Sequence, residues 1–166
     1  MPDFSANLSV ASLDKLLSDV KGYKAKVDAA PAKITERLAE IGAEAIQQNV
    51  AGITDPDGNA PGTVGMQVKG GSAKVFQRGP QVAYLEYGTG KQGKASPHPE
   101  AVEAGWQYDV GSKIRRMKNG KRMWHYYDRL RGHWRTTNGI PAQKQVLRAA
   151  LAMRDSIVSV AKEALK

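Results

Sequence analysis

The sequence predicts an α+β fold in which long N- and C-terminal helices pack on a small antiparallel β-sheet, with a long β-rich aromatic and basic insertion. Stretches near both ends of the chain repeat apolar residues at helical spacing. Between them, two short segments alternate apolar and polar residues around a Gly-Gly pair, as a β-hairpin does. A chain of 166 residues has the size of one domain. We therefore expect residues 1–166 to form a single domain with an insertion at about 91–139.

The first elements expected along the chain are a short strand and a helix. Leu8 and Val10 are spaced as in a short edge strand. Ser12 is a residue type that caps helix N-termini, because its hydroxyl accepts a hydrogen bond from a backbone N–H. The apolar residues that follow it at helical spacing are Leu13, Leu16, Leu17 and Val20.

A second helix is expected over residues 32–50. Pro31 fits the first turn of a helix, where the missing N–H has no intrahelical partner to lose. The apolar positions of its amphipathic pattern are Ile34, Leu38, Ile41, Ala45 and Ile46. Such a face covers a core or contacts another subunit of an oligomer, and the pattern allows both.

Residues 52–65 are rich in Asp, Asn, Gly and Pro, which indicates a loop. Asp55 and Asp57 are spaced as at the start of a calcium-binding loop. The further carboxylates and the closing Glu of such a loop are missing, so we expect no calcium site here.

A β-hairpin is expected after the loop. Residues 66–69 and 73–78 each alternate apolar and polar side chains, and Gly70-Gly71 lies between them. The next segment, residues 81–87, is apolar and aromatic apart from one acid, and its spacing leaves a short helix and a strand equally open.

A forced turn follows this apolar segment. Gly88 and Gly90 flank a single Thr, and glycine reaches backbone conformations that other residues cannot. Pro97 and Pro99 then keep the next turn extended.

The insertion is long, polar and aromatic, and it contains all three tryptophans. Residues 122–127 have the composition of a strand, with Asn119-Gly120 as a hairpin turn ahead of them, and a second strand is expected around 133–135. Residues 112–135 carry nine basic side chains and one acidic side chain, net +8, out of +9 for the whole chain. This local excess predicts contact with a polyanion.

The C-terminal segment is predicted to be one helix over residues 142–164. Apolar residues repeat at helical spacing from Val146 to Leu165. Lys162 and Lys166 lie in the last turn, where cations interact favourably with the helix dipole.

Composition excludes several classes of protein. The chain has no cysteine, so it forms no disulfide and uses no thiolate. No apolar stretch approaches the ~20 residues that a membrane helix needs, and the N-terminal residues lack the pattern of a secretory signal. We therefore expect no contact with a membrane.

Catalytic and metal sites are not expected either. The histidines His98, His125 and His133 lack the spacing of a zinc site. Neither Glu86 nor Thr89 has the neighbouring acid, base or nucleophile that catalysis requires. Glu86 is instead expected to bind nearby backbone N–H groups or a lysine and so fix the turn. The sequence thus predicts no enzyme, no cofactor and no metal, and a hydrolase or nuclease is the hypothesis with the least support.

Three motifs resemble those of one protein family. They are Glu86-Tyr87-Gly88-Thr89, then Ser96-Pro97-His98-Pro99-Glu100-Ala101 with Gly105-Trp106-Gln107-Tyr108-Asp109, and finally Gly139-Ile140-Pro141-Ala142. In this order they resemble the neck or tail-completion proteins of long-tailed bacteriophages, over about residues 13–166. The chain departs from the family after the Pro-Ala pair: Gln143-Lys144-Gln145-Val146-Leu147 stands where the family commonly has Pro, Phe and a hydrophobic residue.

The resemblance implies a structural protein of the virion, made in the host cytoplasm, that forms a ring at the head–tail junction through which DNA passes. It favours a short helix at residues 81–87. The partners it implies are other copies in a ring, expected to be a hexamer because such tails have sixfold symmetry, and the neighbouring head-closure or adaptor and tail-terminator proteins. The interface residues expected on this basis are Tyr84, Glu86, Tyr87, Thr89, Pro97, His98, Trp124 and Trp134.

The insertion is expected to contact DNA transiently or to brace a neighbouring ring. Arg and Lys neutralise phosphates and aromatic rings stack on exposed bases, but Trp, Tyr and Arg also favour protein interfaces. Composition therefore leaves both partners open. The candidates for a DNA or lumen contact are Lys113, Arg115, Arg116, Lys118, Lys121 and Arg122. The alternative function is a basic nucleic-acid-binding regulator or DNA-packaging accessory protein.

Overall fold

The computed structural model of the chain describes residues 10–51, 53, 62–108, 114–120, 122–128 and 131–166. Its elements are α1 Val10–Val50, β1 Thr63–Lys69, β2 Ser72–Arg78, α2 Val82–Tyr87, α3 Gly90–Ala95, β3 Ile114–Arg116, β4 Arg122–Asp128, β5 His133–Thr137 and α4 Gln145–Ala164. β1 and β2 form one antiparallel pair, and β3, β4 and β5 form a separate antiparallel sheet in that order. The fold is α+β, as the sequence predicts. In this described part, no helix has both the length and the apolar character needed to cross a membrane.

The N-terminal region forms one helix, so the prediction of two was wrong. α1 continues through Pro31, and Val10 is its first residue rather than part of an edge strand. Leu8 lies outside the described residues. A proline inside a helix removes one backbone hydrogen bond, yet Ala30 beside it is buried and the following half of α1 packs on α4 and on the hairpin. This packing favours one continuous helix over a break.

α4 packs antiparallel along the C-terminal half of α1. At one end the Arg148 guanidinium donates to the Asn49 side-chain oxygen at 3.2 Å. At the other end the Lys26 ammonium donates to the carbonyl oxygen of Lys166 at 2.9 Å. Residues 10–25 of α1 therefore extend beyond the end of α4. The buried residues of the two helices are Ala30, Ala39, Gly42, Ile46, Gln145, Ala149 and Val160.

α4 begins three residues later than predicted. Lys144 has a left-handed backbone, with φ of 55°. The backbone N–H groups of Gln143 and Lys144 donate to the carbonyl oxygens of Leu85 and Glu86, at 2.7 and 3.3 Å. These residues are thus held against α2, and the helix begins only at Gln145.

β1 and β2 form the predicted hairpin. Lys69 pairs with Ser72 next to the turn, and Gly70 and Gly71 both have positive φ, 56° and 79°. Two successive residues of positive φ are typical of the tight hairpin turn that matches strand twist. The turn lies on α1, where the Thr35 hydroxyl donates to the carbonyl oxygen of Gly71 at 3.2 Å. Among the described elements, α4 packs mainly on α1 and α2, so only one of the two long helices covers this sheet as predicted.

The insertion contains one element that the sequence pattern did not indicate. α3 is six residues long, and two of them are buried glycines, so it shows no apolar period. β4 and β5 confirm the strands predicted at 122–127 and 133–135, and β3 pairs with β4 across the predicted hairpin turn.

The segment that carries the strands of the insertion begins and ends against α3. The N–H of Gly90 donates to the carbonyl oxygen of Tyr108 at 2.8 Å, and the N–H of Gln92 donates to that of Asn138 at 3.3 Å. Tyr108 and Asn138 therefore both lie against α3. The segment between them that carries β3, β4 and β5, residues 114–137, is called the arm below.

Candidate functional site

The carboxylate of Glu86 caps the N-terminus of α4. Glu86 lies in α2, and the residue is only 7% exposed. Its two oxygens accept hydrogen bonds from the backbone N–H groups of Val146, at 2.7 Å, and Leu147, at 3.0 Å. The first N–H groups of a helix have no intrahelical partner and carry partial positive charge, and no side chain next to Gln145 caps them. Glu86 thus binds backbone N–H groups, as expected, but those of a helix 60 residues away.

His98 binds the same carboxylate. Its Nε2 lies 3.0 Å from Oε1 of Glu86, and the residue is 3% exposed. The backbone N–H of Glu100 donates to Nδ1 of His98 at 3.1 Å. Nδ1 therefore acts as an acceptor, which leaves the ring proton on Nε2, where it is donated to Glu86. The Pro-His-Pro turn is thereby tied to α2 and, through Glu86, to α4.

Aromatic rings close over this carboxylate–histidine pair. The Tyr87 ring meets the His98 ring edge-on, with centroids 4.7 Å apart, and stacks on Trp106 at 5.2 Å. The Trp106 indole N–H donates to the carbonyl oxygen of Gly88 at 2.9 Å. Such contacts bury large apolar area while satisfying the indole N–H. Trp106 therefore anchors the segment after the Pro-His-Pro turn to the Gly88 turn.

Thr89 joins this turn to the segment before α4. Its N–H donates to the carbonyl oxygen of Ile140 at 2.9 Å, and its hydroxyl accepts the N–H of Ile140 at 3.1 Å. At Gly88 φ is 76°, and a methyl group there would lie 2.6 Å from the nitrogen of Ala142. Only glycine permits this approach of two backbones. We call the joined residues Glu86, Tyr87, Gly88, Thr89, His98, Trp106 and Ile140 the hub.

The hub has the chemistry of a structural junction. The carboxylate oxygens of Glu86 are aimed at three donors of the chain itself, and the Thr89 hydroxyl is engaged with Ile140. No cluster of three or more His, Asp or Glu side chains suited to a metal occurs among the described residues. What the geometry does is fix α2, the Pro-His-Pro turn and α4 in one arrangement.

An open groove with a volume of about 460 Å³ lies beside the hub. Its apolar lining comes from α2 and the first turns of α4: Val82, Ala83, Val146, Leu147 and Ala150. Glu86, Tyr87 and His98 form part of its wall. A groove of this composition fits apolar side chains.

The residues predicted to lie at a subunit interface differ in exposure. Glu86, Thr89 and His98 are buried and bind their own chain, so each of them positions other elements of the subunit. Tyr84 and Trp134 are 43% and 61% exposed. Pro97 is also exposed and Tyr87 is half-buried. Trp124 lies in β4, but its side chain is outside the described part.

Four of the six predicted DNA-contact residues lie in the described part of the arm. Arg116 and Lys118 are exposed. Arg115 and Arg122 lie in β3 and β4, with side chains outside the described part. Lys113 and Lys121 lie outside the described residues.

Three hub residues, Gly88, Trp106 and Ile140, were not predicted as site residues. Trp106 was noted only as part of a motif, although a tryptophan in a polar segment is itself a signal for an anchor. Gly88 was predicted as a turn, but nothing in the local sequence shows that the backbone of residue 142 lies against it. No family model, curated protein or solved structure matches the chain.

Proposed function

We propose that the chain is a neck or tail-completion subunit of a long-tailed bacteriophage, which forms a ring at the head–tail junction through which DNA passes. The observation that carries the proposal is the hub, because the motifs on which the resemblance depends converge there. Glu86 caps the last helix, His98 holds Glu86, and Trp106 closes over the Gly88 turn. Motifs dispersed over more than 50 residues thus serve one structural junction.

Two exposed apolar surfaces support assembly into a ring. The first, called the α1 seam, has the 3-4 spacing of a coiled-coil face and is 41–77% exposed: Val10, Leu13, Leu17, Val20 and Val27. The second is the groove beside the hub. Apolar side chains that are exposed together on one surface are typical of protein interaction sites.

The seam and the groove cannot meet within one chain. The groove lies at the start of α4, which is bound to Asn49 of α1. Leu17 lies roughly 48 Å from Asn49 along the helix axis. Contact between two different surfaces on two copies is heterologous, and such contacts close into rings when the rotation allows. We propose a hexamer, with head-closure or adaptor and tail-terminator proteins as its neighbours and the virion neck as its location.

The charge of the arm supports a role beside DNA. The arm carries eight basic side chains and one acidic side chain, a net charge of +7, and this charge attracts a polyanion. In a neck this contact is expected to be weak and non-specific, since tight binding would arrest DNA passage. The same charge favours the second candidate, a nucleic-acid-binding regulator or packaging accessory protein.

Deletion of the gene from the phage, followed by electron microscopy of the particles, tests the proposal. Filled heads and separate, complete tails are expected, because the junction between them is missing. A plasmid copy of the gene should restore joined particles. Normal virions with a defect only in replication or expression would overturn the neck assignment and support the regulator.

A further inference from the structure

One face of the arm carries an exposed aromatic cluster. Tyr127 of β4 is paired with Trp134 of β5, and the two rings meet edge-on with centroids 5.5 Å apart. His125, two residues before Tyr127 and so on the same face of the sheet, stacks on Trp134 at 5.1 Å with an angle of only 11° between the planes. Trp134 is 61% exposed and Tyr127 is 45% exposed. We call these three residues the aromatic face.

The indole of Trp134 is held in place before any ligand binds. The imidazole of His125 covers one side of the ring and Tyr127 meets it edge-on. The exposed remainder of the indole is a flat, rigid surface beside the sheet. Aromatic surfaces of this kind stack on unpaired bases without regard to base identity, because every base has a π-face.

Exposed cations lie elsewhere on the arm. Lys118 lies in the β3–β4 turn and Arg131 precedes β5. Arg116 is paired with Arg122 and Arg135 with Tyr126, so both lie on the side of the sheet opposite the aromatic face. The segment 112–135 has a net charge of +8. A second copy of the same arm would meet this charge with a like charge, whereas a phosphate backbone complements it.

We propose that the arm binds a single-stranded polynucleotide, with bases stacked on Trp134 and phosphates bound by the cations of the arm. A duplex offers the same phosphates, but its bases are already stacked on one another. The arm therefore binds single strands more tightly than duplexes of equal length. Neither contact reads the sugar, so DNA and RNA single strands bind alike. The inference uses only the arm and is independent of the neck assignment.

Fluorescence anisotropy with the purified full chain tests the proposal. The probes are labelled (dT)20, labelled (U)20 and a labelled 20-base-pair DNA duplex, and the competitor is polyglutamate. Trp134→Ala is expected to weaken binding of both single strands by about 5- to 150-fold, the range for loss of one base–aromatic stack, and to change duplex binding by less than about twofold. Val158→Ala, at an apolar site on α4 that is 64% exposed, is the matched control and should bind like the parent chain.

A second variant distinguishes the contribution of charge to binding from that of stacking. The double variant Arg116→Gln and Lys118→Gln should weaken binding to single strands and duplex together. It should also reduce the slope of log K against log salt for single strands by about 1.4, since each phosphate contact contributes about 0.7.

A fluorescence measurement keeps the test valid if Trp134→Ala unfolds the arm. The variant Trp134→Phe retains a ring at this position, and (dT)20 should quench tryptophan emission in the parent chain more than in this variant. Equal affinity of the parent chain for (dT)20 and duplex, or equal loss of both in Trp134→Ala, would overturn the stacking proposal. Competition by polyglutamate as strong as by unlabelled (dT)20 would overturn it in favour of an acidic protein partner, and absence of binding to any probe would overturn it outright.

Discussion

Replacing Glu86 with Gln is expected to destabilise the whole chain, although it changes only one group. Glutamine keeps one acceptor oxygen. Its NH2 group replaces the second carboxylate oxygen, so a donor now faces a donor and that hydrogen bond is lost. A buried donor left unpaired costs about 1–3 kcal/mol. Loss of the negative charge at the N-terminus of α4 adds about 0.3–2 kcal/mol. Since Glu86 is 7% exposed and solvent cannot replace these bonds, we expect the free energy of unfolding to fall by about 2–4 kcal/mol.

Urea unfolding followed by circular dichroism measures this change. With an m-value of about 2 kcal/mol/M, the midpoint should fall by about 1–2 M. Glu103→Gln makes the same substitution at an exposed position beyond the Pro-His-Pro turn and should stay within about 0.5 kcal/mol of the parent chain.

Hydrogen exchange locates the effect. In Glu86→Gln, the amides of Val146 and Leu147, which donate to the carboxylate, should lose protection relative to that of Val160 near the other end of α4. If Glu86→Gln unfolds at the same urea concentration as Glu103→Gln, or if these two amides keep their relative protection, the capping role assigned to Glu86 is refuted.

Three other substitutions test the hub and the ring surfaces. Gly88→Ala combines a conformation largely restricted to glycine with a clash against the neighbouring backbone, so it should cost more than about 3 kcal/mol. Gly105→Ala, where φ is 63° but no atom lies near the added methyl, should cost about 1 kcal/mol, and equal costs in urea unfolding would contradict this account. Trp106→Phe removes the bond to the Gly88 carbonyl while keeping a ring, and should cost about 1 kcal/mol by the same assay; an unchanged midpoint would show that the bond is not needed. Leu13→Glu with Leu17→Glu should change the free energy of unfolding of the monomer by less than about 0.5 kcal/mol but abolish rings in light scattering after gel filtration. Intact rings would exclude the α1 seam as a subunit contact.

The elements that the sequence predicted correctly are those that form because of residues close together in the sequence. The apolar period of α4 and the Gly70-Gly71 turn act within a few residues, and both elements formed as expected. The break expected at Pro31 did not form, because α4 and the hairpin pack on the same helix. Tertiary contacts of this kind override local preference and have no signature in the spacing of residues.

The contacts of the candidate site also join residues that are distant in sequence, and the sequence did not predict them. The sequence marked Glu86 as a residue that binds backbone N–H groups, and this was correct, but its partners lie 60 residues away. The local sequence also predicted a helix from about residue 142, but Gln143 is bound to Leu85 of α2, and a contact between residues so far apart has no local signal. His98 was noted as a histidine without metal spacing, and its partner became evident only once α2 and the Pro-His-Pro turn were placed together.

The attachment of both ends of the arm to α3 allows the arm itself to change in length. Tyr108 and Asn138 are bound to Gly90 and Gln92 of α3. The two ends of the segment between them are therefore held close together by α3, whatever the length of that segment. The entropy of closing such a segment grows only with the logarithm of its length, and halving it changes the free energy by about 0.6 kcal/mol. Related chains can therefore lengthen, shorten or replace the arm at little thermodynamic cost while the helices keep their packing.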